Sequence, residues 1–540
     1  MLVDESVVLP KSQYEKIVEE CAKAIEERAK AVEKCEYYHR LYLQMLEQCR
    51  KLEKGIVGPK SERLTGNEAQ LTMAVLGMLI ATQPASEPAA EEQVVREHKR
   101  QKPTGRKPPP ENLPRVDIEV LPEHVQREGL DAFERIGEDI SESIERRPGS
   151  LVVVRMHKGK FVRKDRERYA ETEVLQAPSP ELPIERGSAG PGLLAETIVR
   201  RWQDHLPLHR MEEIYAREGL ELARSTICGW HMELCDLARP IVDEMFKDAL
   251  LSPYLCTDAT GVLVQAKEKC KKGHFFVLVA PERHVLYEYS PKHDGKAVDR
   301  FLAGYKGYLV ADAHAVYDHL YKTGDVVEVA CWAHLRRYGW KSLQSDTERA
   351  RQMLALIGEL FRIERSIAEA PIRKREVVRE RESRPVVARF FEWCDQQAGQ
   401  VLDDTPIATA IGYARNQRIA LSRFLEDARL PLHNNWSESA LRREVVGRRN
   451  WTFLGSDDAG EVNATFTSLL ASCRLHEIEP WAYLRDIFCL LPSWQRSRVL
   501  ELAPVNWNKT LQQEDTQQRL AANVYRRITL SDKPLVHCRT

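Results

Sequence analysis

From residue 251 the sequence carries three apolar runs in close succession, YLCTDATGVLVQ, HFFVLVAP and HVLYEYS, separated by turn residues. Each is rich in β-branched and aromatic side chains, the composition of a buried strand. A helix-prone stretch near 295–305 leads to GYLVADA, a fourth strand. The helical HAVYDHLY follows, and then VVEVACWA, a fifth strand that runs into LRRYGW. Few topologies accept three strands in succession and then strand alternating with helix.

That order is the order of a ribonuclease H-like sheet. Residues 340–430 are charged, helix-prone and without a strand candidate, so they read as a helical insertion within a catalytic domain spanning 251–490. Residues 434–490 return to helix-forming sequence, interrupted by the Gly-containing WTFLGSDDAGE.

Three acids stand out on this scaffold. Asp258 lies mid-strand, where Asp is disfavoured, on the face shared by Cys256 and Thr260. Asp312 ends the fourth strand, and strand ends are where open α/β sheets gather ligands. Glu438 sits in NNWSESALRREVV, a predicted helix with Leu441 and Val445 on its inward side. If that helix packs on the sheet, three carboxylates converge from distant parts of the chain. Such a group suits phosphodiester chemistry. Two Mg²⁺ or Mn²⁺ ions about 4 Å apart activate a water or 3′-hydroxyl and stabilise the leaving oxygen, and hard oxygen ligands suit them. Asp258 is the expected bridge between the ions, because a central strand is the most rigid platform. Two plainer readings stay open: Asp312 as the N-cap of a helix starting at Ala313, and Glu438 as an i,i+4 partner of Arg442.

Cys331 and His334 in CWAHLRR form a C-x-x-H pair with no second pair in view, so no zinc is expected there. Cys331 and Trp332 read as strand-end core, and His334, Arg336 and Arg337 as facing the site or DNA. Arg442, Arg443, Arg448 and Arg449 are placed to grip phosphates, with Trp451 as a neighbouring nucleotide-facing ring. A solvated helix face is the plainer alternative.

The rest of the 540 residues divides by texture. Residues 1–80 read as a helical, coiled-coil region: Ile17, Ala24, Ala31, Tyr38, Met45 and Leu52 recur every seven residues, an expected self-association element. Residues 81–112 form a basic, Pro-rich linker too poor in apolar side chains to build a core. The 80 Lys and Arg nearly cancel the 81 Asp and Glu over the whole chain, so any nucleic-acid surface must come from local clusters. Lys99, Arg100, Lys102, Arg106 and Lys107 make such a cluster, with PTGRKPPP resembling arms that lie in a DNA minor groove.

Residues 113–185 read as a small mixed domain, with a hairpin turning near Lys158-Gly159-Lys160 in SLVVVRMHKGKFVRK. This stretch has no Cys, and His124 and His157 are its only imidazoles, too few for a structural zinc. Residues 186–250 read as a helical DNA-binding region: a helix in RMEEIYAREGL, a Gly-containing turn, and a second helix opening at Arg224 and Ser225. That is a helix-turn-helix outline. Residues 491–540 read as a C-terminal tail. The twelve Cys show no short-spaced ladder, and no run reaches membrane-span length, so a cytoplasmic, reduced, soluble protein is expected.

GPKSERL, IGEDISE, DHLPLHRMEEIYAREGLELARSTICGW, CWAHLRR, HNNWSESALRR and VVGRRNWTFLGS together resemble the transposases of the bacterial insertion-sequence-sixty-six family, in family order from the first helix to about residue 507. The resemblance implies a DDE nuclease with a ribonuclease H-like core and a helical insertion before the last acid. It carries the three acids onto Asp258 in TDAT, Asp312 in ADAH and Glu438 in NNWSES. It also implies DNA ends and target DNA as partners, with possible accessory proteins from the same element. Three positions depart from the family pattern. The paired cysteines expected around IGED and the hairpin are absent, the neighbours of the two Asp differ (DAT, DAH), and Ser439 stands where Arg usually follows the Glu. A decayed copy acting only as a DNA-binding regulator is the competing expectation.

The linker generates a direct test. Neutralising Lys99, Arg100, Lys102, Arg106 and Lys107 together is expected to weaken binding to element ends and flatten its salt dependence, because each lost phosphate contact releases fewer counterions. Unchanged affinity and salt slope in a binding titration would mean that the linker is only a tether.

Overall fold

The computed structural model describes residues 109–530 apart from 148–149, 165–173 and 268, together with positions 28, 538 and 539. The expected coiled coil and the five basic linker residues therefore lie outside the described residues.

Two mixed sheets organise the chain. The first contains β1 (Arg115–Val120), β2 (Phe133–Arg147), β3 (Ser150–Arg163) and the short β4 (Leu175–Gln176). Cys538–Arg539 adds a parallel strand outside β1. β3 does not turn at Lys158-Gly159-Lys160. It runs unbroken through Gly159 and pairs antiparallel along the length of β2. The glycine meets a packing need instead: a Cβ there would lie 2.7 Å from the Phe161 ring.

Residues after 491, expected to be a tail, carry helices Pro504–Thr510, Glu514–Ala522 and Val524–Leu530. Val524, Tyr525 and Ile528 bury against Val116, Ile118, Val152, Val154 and Met156. One face of the small sheet thus draws its cover from the far end of the chain.

The second sheet has the order β7-β6-β5-β8-β9, from β5 (Tyr254–Val264), β6 (Lys271–Ala280), β7 (His284–Ser290), β8 (Gly307–Ala311) and β9 (Val326–Ala330). β5, β6 and β7 are antiparallel neighbours, while β8 and β9 run parallel to β5. Both faces of this sheet are covered, which explains the near-continuous apolar runs. Phe276, Leu278 and Ala280 pack with helices Arg224–Ala249 and Asp457–Leu475. Phe275, Val277 and Val279 face the helical insertion. Trp332 anchors the insertion, packing against Phe390, Phe391 and Phe424 and donating its indole N–H to the Leu421 carbonyl at 2.8 Å.

β7 is an edge strand, and an uncovered edge invites pairing with another chain. Helix Asp457–Leu475 closes it. Ser468 and Ser472 accept the backbone N–H groups of Tyr287 (2.8 Å) and Val285 (3.1 Å). Gly460 permits the approach, since a Cβ there would sit 2.5 Å from the Tyr289 ring. Among the described residues, no helix is long and apolar enough to cross a membrane.

Glu145 joins the small sheet to the rest. Its Oε1 accepts the backbone N–H groups of Arg146 (2.7 Å) and Leu193 (2.8 Å), at the start of helix Pro191–Ile198. Gly190 and Gly192 make room, because a Cβ on either would collide with the carboxylate. Burial pushes this carboxyl up to about 8, against the pull of those N–H groups. A carboxyl raised on folding stabilises most below its unfolded value near 4.5, and that stability declines until the pH passes about 8. Glu145→Gln should therefore remove a loss on the order of 1.4 kcal/mol per pH unit across that window. Denaturation midpoints of parent and variant should diverge between pH 5 and 8.5 in favour of the variant; parallel curves would contradict a protonated Glu145.

Candidate active site

The register of the second sheet brings the first two acids together. Cys256 on β5 is level with Val310 on the parallel β8. Asp258 and Asp312 each stand two residues further on, side by side at the same edge. Asp258 Oδ1 accepts the N–H of Ala259 at 2.7 Å. Burial first, and then the charges of Asp312 and Glu438, push its carboxyl up to about 7, against the Ala259 N–H and the positive charge of Arg337. The reading of Asp312 as an N-cap of a helix at Ala313 fails: the next helix starts only at Asp318. The carbonyl of Asp312 instead accepts the N–H of His314 at 2.7 Å.

Glu438 lies in the first turn of helix Asn435–Trp451, where the positive end of the helix favours a carboxylate. The helix is fastened to β5 at both ends. At its start, the buried Asn434 donates its carboxamide N–H to the Thr257 carbonyl at 2.8 Å. The Asn434 backbone N–H meets Cys331 Sγ at 3.1 Å, and its carbonyl accepts the N–H of Glu438 at 3.2 Å. Toward the other end, Arg448 donates to Thr260 Oγ1 at 2.9 Å and to the Gly261 carbonyl. Tyr287 Oη adds a bond to the Ala440 carbonyl at 2.7 Å.

The partner of Glu438 is Arg337, not Arg442: Arg337 Nη2 lies 3.2 and 3.3 Å from the two carboxylate oxygens. His334 Nδ1 is 3.7 Å from Oε1, and burial lowers the affinity of this imidazole for a proton. Among the described residues, Cys331, His334 and Glu438 form the one group of three potential metal donors within 4.8 Å of one another. Sequence spacing gave the C-x-x-H pair no further ligand; the fold supplies Glu438 from a helix a hundred residues on.

The arginine cluster divides. Arg442 and Arg449 are exposed. Arg443 is committed to the Trp202 carbonyl and the Gln203 side chain, and Arg448 to β5. Trp451 is buried, with the Arg201 guanidinium 5.3 Å from its ring, so it offers no face to a base. Leu441 points inward as expected, but the buried positions beside it are Ser437, Glu444 and Gly447 rather than Val445. Glu444 is a buried acid that sequence pattern missed. It accepts from Asn463 and Thr467 (both 3.2 Å), and burial pushes its carboxyl up to about 7.

Arg336 is exposed and lies over the Phe361 ring at 5.9 Å. The helical pair forms at Leu208–Arg217 and Arg224–Ala249, joined through Gly219, whose backbone is left-handed at φ 88°. Arg224 and Ser225 are exposed, and Arg224 bonds Glu212 of the first helix at 2.9 Å. Most of the second helix is committed to the core through Leu234, Ala238, Ile241, Val242 and Met245. Its first turn is exposed at Arg224, Ser225 and Thr226.

Residues 186–462 match the family model described as Transposase IS66 family. Residues 44–118 match Transposase C of IS166 homeodomain, and residues 468–505 match the IS66 C-terminal element. Among curated relatives, the uncharacterized protein y4hP of Sinorhizobium fredii is 28% identical over 490 residues, covering 85% of this chain and 88% of its own. The uncharacterized y4jD of the same organism is 26% identical over 499 residues, covering 87% and 96%. The chain belongs to the IS66 family of transposases.

Proposed function

We propose that this protein is a DDE transposase that cleaves DNA at the ends of its element and joins them to target DNA, with Asp258, Asp312 and Glu438 as the catalytic acids on a ribonuclease H-like core. The observation that carries this reading is the fastening of the Glu438 helix to the strand that bears Asp258, with Asp312 on the adjacent parallel strand. Burial, and then the charges of Asp312 and Glu438, push the Asp258 carboxyl up to about 7, and a cation bound there would relieve both costs. These three acids would hold two Mg²⁺ or Mn²⁺ ions through their oxygens. Such ions, when bound, activate the attacking hydroxyl and stabilise the leaving oxygen.

The chain's own residues position and neutralise. Arg337 balances Glu438 and remains half exposed toward incoming phosphate. Arg336, Arg442 and Arg449 offer phosphate contacts around the same helix, and Arg224 and Ser225 offer them at the helical pair. Residues 1–80 would bring two copies together as a coiled coil, and residues 81–112 would follow the DNA backbone. The alternative, a DNA-binding regulator without chemistry, is not favoured: it gives no reason for a desolvated Asp258 in the middle of a central strand.

Asp258→Asn, Asp312→Asn and Glu438→Gln keep shape and remove charge. Each should bind element ends yet lose cleavage and joining by about 100-fold or more, and the parent should require Mg²⁺ or Mn²⁺ and stall with Ca²⁺. Robust strand transfer by any of the three in a labelled-end assay would overturn the assignment. Asn434→Ala addresses positioning. It should cost about 1–3 kcal/mol for the unpaired buried groups and slow cleavage without weakening end binding; unchanged cleavage would show that the tether does not aim Glu438.

A further inference from the structure

We propose that Cys331, His334 and Glu438 form a second metal site, selective for a soft divalent ion such as zinc, which shares Glu438 with the three-carboxylate site. The sharing rests on the catalytic reading above; the site itself does not.

The donors are already gathered, all within 4.8 Å of one another. Cys331 is the residue before helix Trp332–Ser342, and His334 is one turn in, so both reach the same side of the helix start. The sulfur is set in a cradle of backbone N–H groups from Asn434 (3.1 Å), His334 and Ala333. N–H groups at a helix start favour a thiolate, while burial disfavours it; a bound cation resolves that conflict, with the thiol proton released to solvent. His334 Nδ1 is buried, has no hydrogen-bond partner and stands 3.7 Å from Glu438 Oε1. An unmet nitrogen between a sulfur and a carboxylate is the arrangement a metal would complete. One thiolate, one imidazole and one carboxylate suit zinc rather than Mg²⁺, and three protein ligands leave a fourth position for water.

Zinc held there draws Glu438 away from Asp258 and Asp312. Zinc should therefore inhibit Mg²⁺-supported cleavage by competing for a ligand, not for DNA.

Cobalt(II) is the probe, titrated into the full-length, chelator-stripped protein. We expect visible bands and a thiolate charge-transfer band that saturate at one ion per chain and are displaced by zinc. Loss of an outer-shell partner commonly weakens a site by about 10–100-fold, so Cys331→Ser and His334→Asn should each exceed that range. Cys228→Ser and Cys270→Ser, at exposed thiols, should leave the bands intact. Absence of a thiolate band in the parent, or bands undiminished in both Cys331→Ser and His334→Asn, overturns the proposal. Asp312→Asn separates the two readings: it should keep the cobalt bands while losing cleavage. Bands in a chain that never cleaves DNA would leave this site standing and remove the catalytic one.

Discussion

The carboxamide of Asn434 is the contact on which the site depends. One buried residue touches the strand of Asp258 through the Thr257 carbonyl, the end of β9 through Cys331 Sγ, and the Glu438 N–H through its own carbonyl. Asn at this position would ordinarily cap its helix with its side chain. Here no such cap forms, and the amide is spent on the sheet instead. Helix and sheet are thereby locked in register, since a buried donor without an acceptor costs more than the bond itself contributes. The second fastening, Arg448 on Thr260 and Gly261, prevents the helix from pivoting about the first.

Electrostatics then follow from position. Asp258 is pushed up to about 7, because burial on the central strand disfavours its charge and its neighbours share that charge. Glu438 is closer to solvent, at the positive end of a helix and beside Arg337. A single neighbourhood thus holds one carboxyl reluctant to ionise beside one paired with a guanidinium. Such pairs, set apart by environment, are typical of sites that bind cations or move protons.

Much of this was legible in the sequence where the signal was local. Asp258 was conspicuous because an Asp in a strand of β-branched and aromatic residues has no structural reason to be there. Asp312 was marked by the end of a strand, and the five strands of the second sheet by their apolar runs. What escaped depended on partners far along the chain. Gly159 looked like a turn because glycine commonly makes one, yet here it admits the Phe161 ring. Trp451 looked like a base-stacking platform because arginines surround it, yet it is filled in by Arg201 from another helix. Val524, Tyr525 and Ile528 gave no sign that their apolar face would cover strands four hundred residues earlier. Periodicity tells which face is apolar, not what it meets.

The arginines of the Glu438 helix show how composition can mislead about function. Four in eight residues read as a phosphate grip, but Arg443 and Arg448 point inward and satisfy backbone carbonyls and side-chain oxygens. A guanidinium suits that task because its five donors lie in a fixed plane, which a lysine ammonium cannot reproduce. Positive charge from Arg443 and Arg201 also faces Glu444, adding to the hydrogen bonds from Thr467 and Asn463 in the core. The same helix therefore divides its charge by face: Arg448 fastens it to β5 and Arg443 to the Val199–Gln203 segment, while Arg442 and Arg449 face solvent.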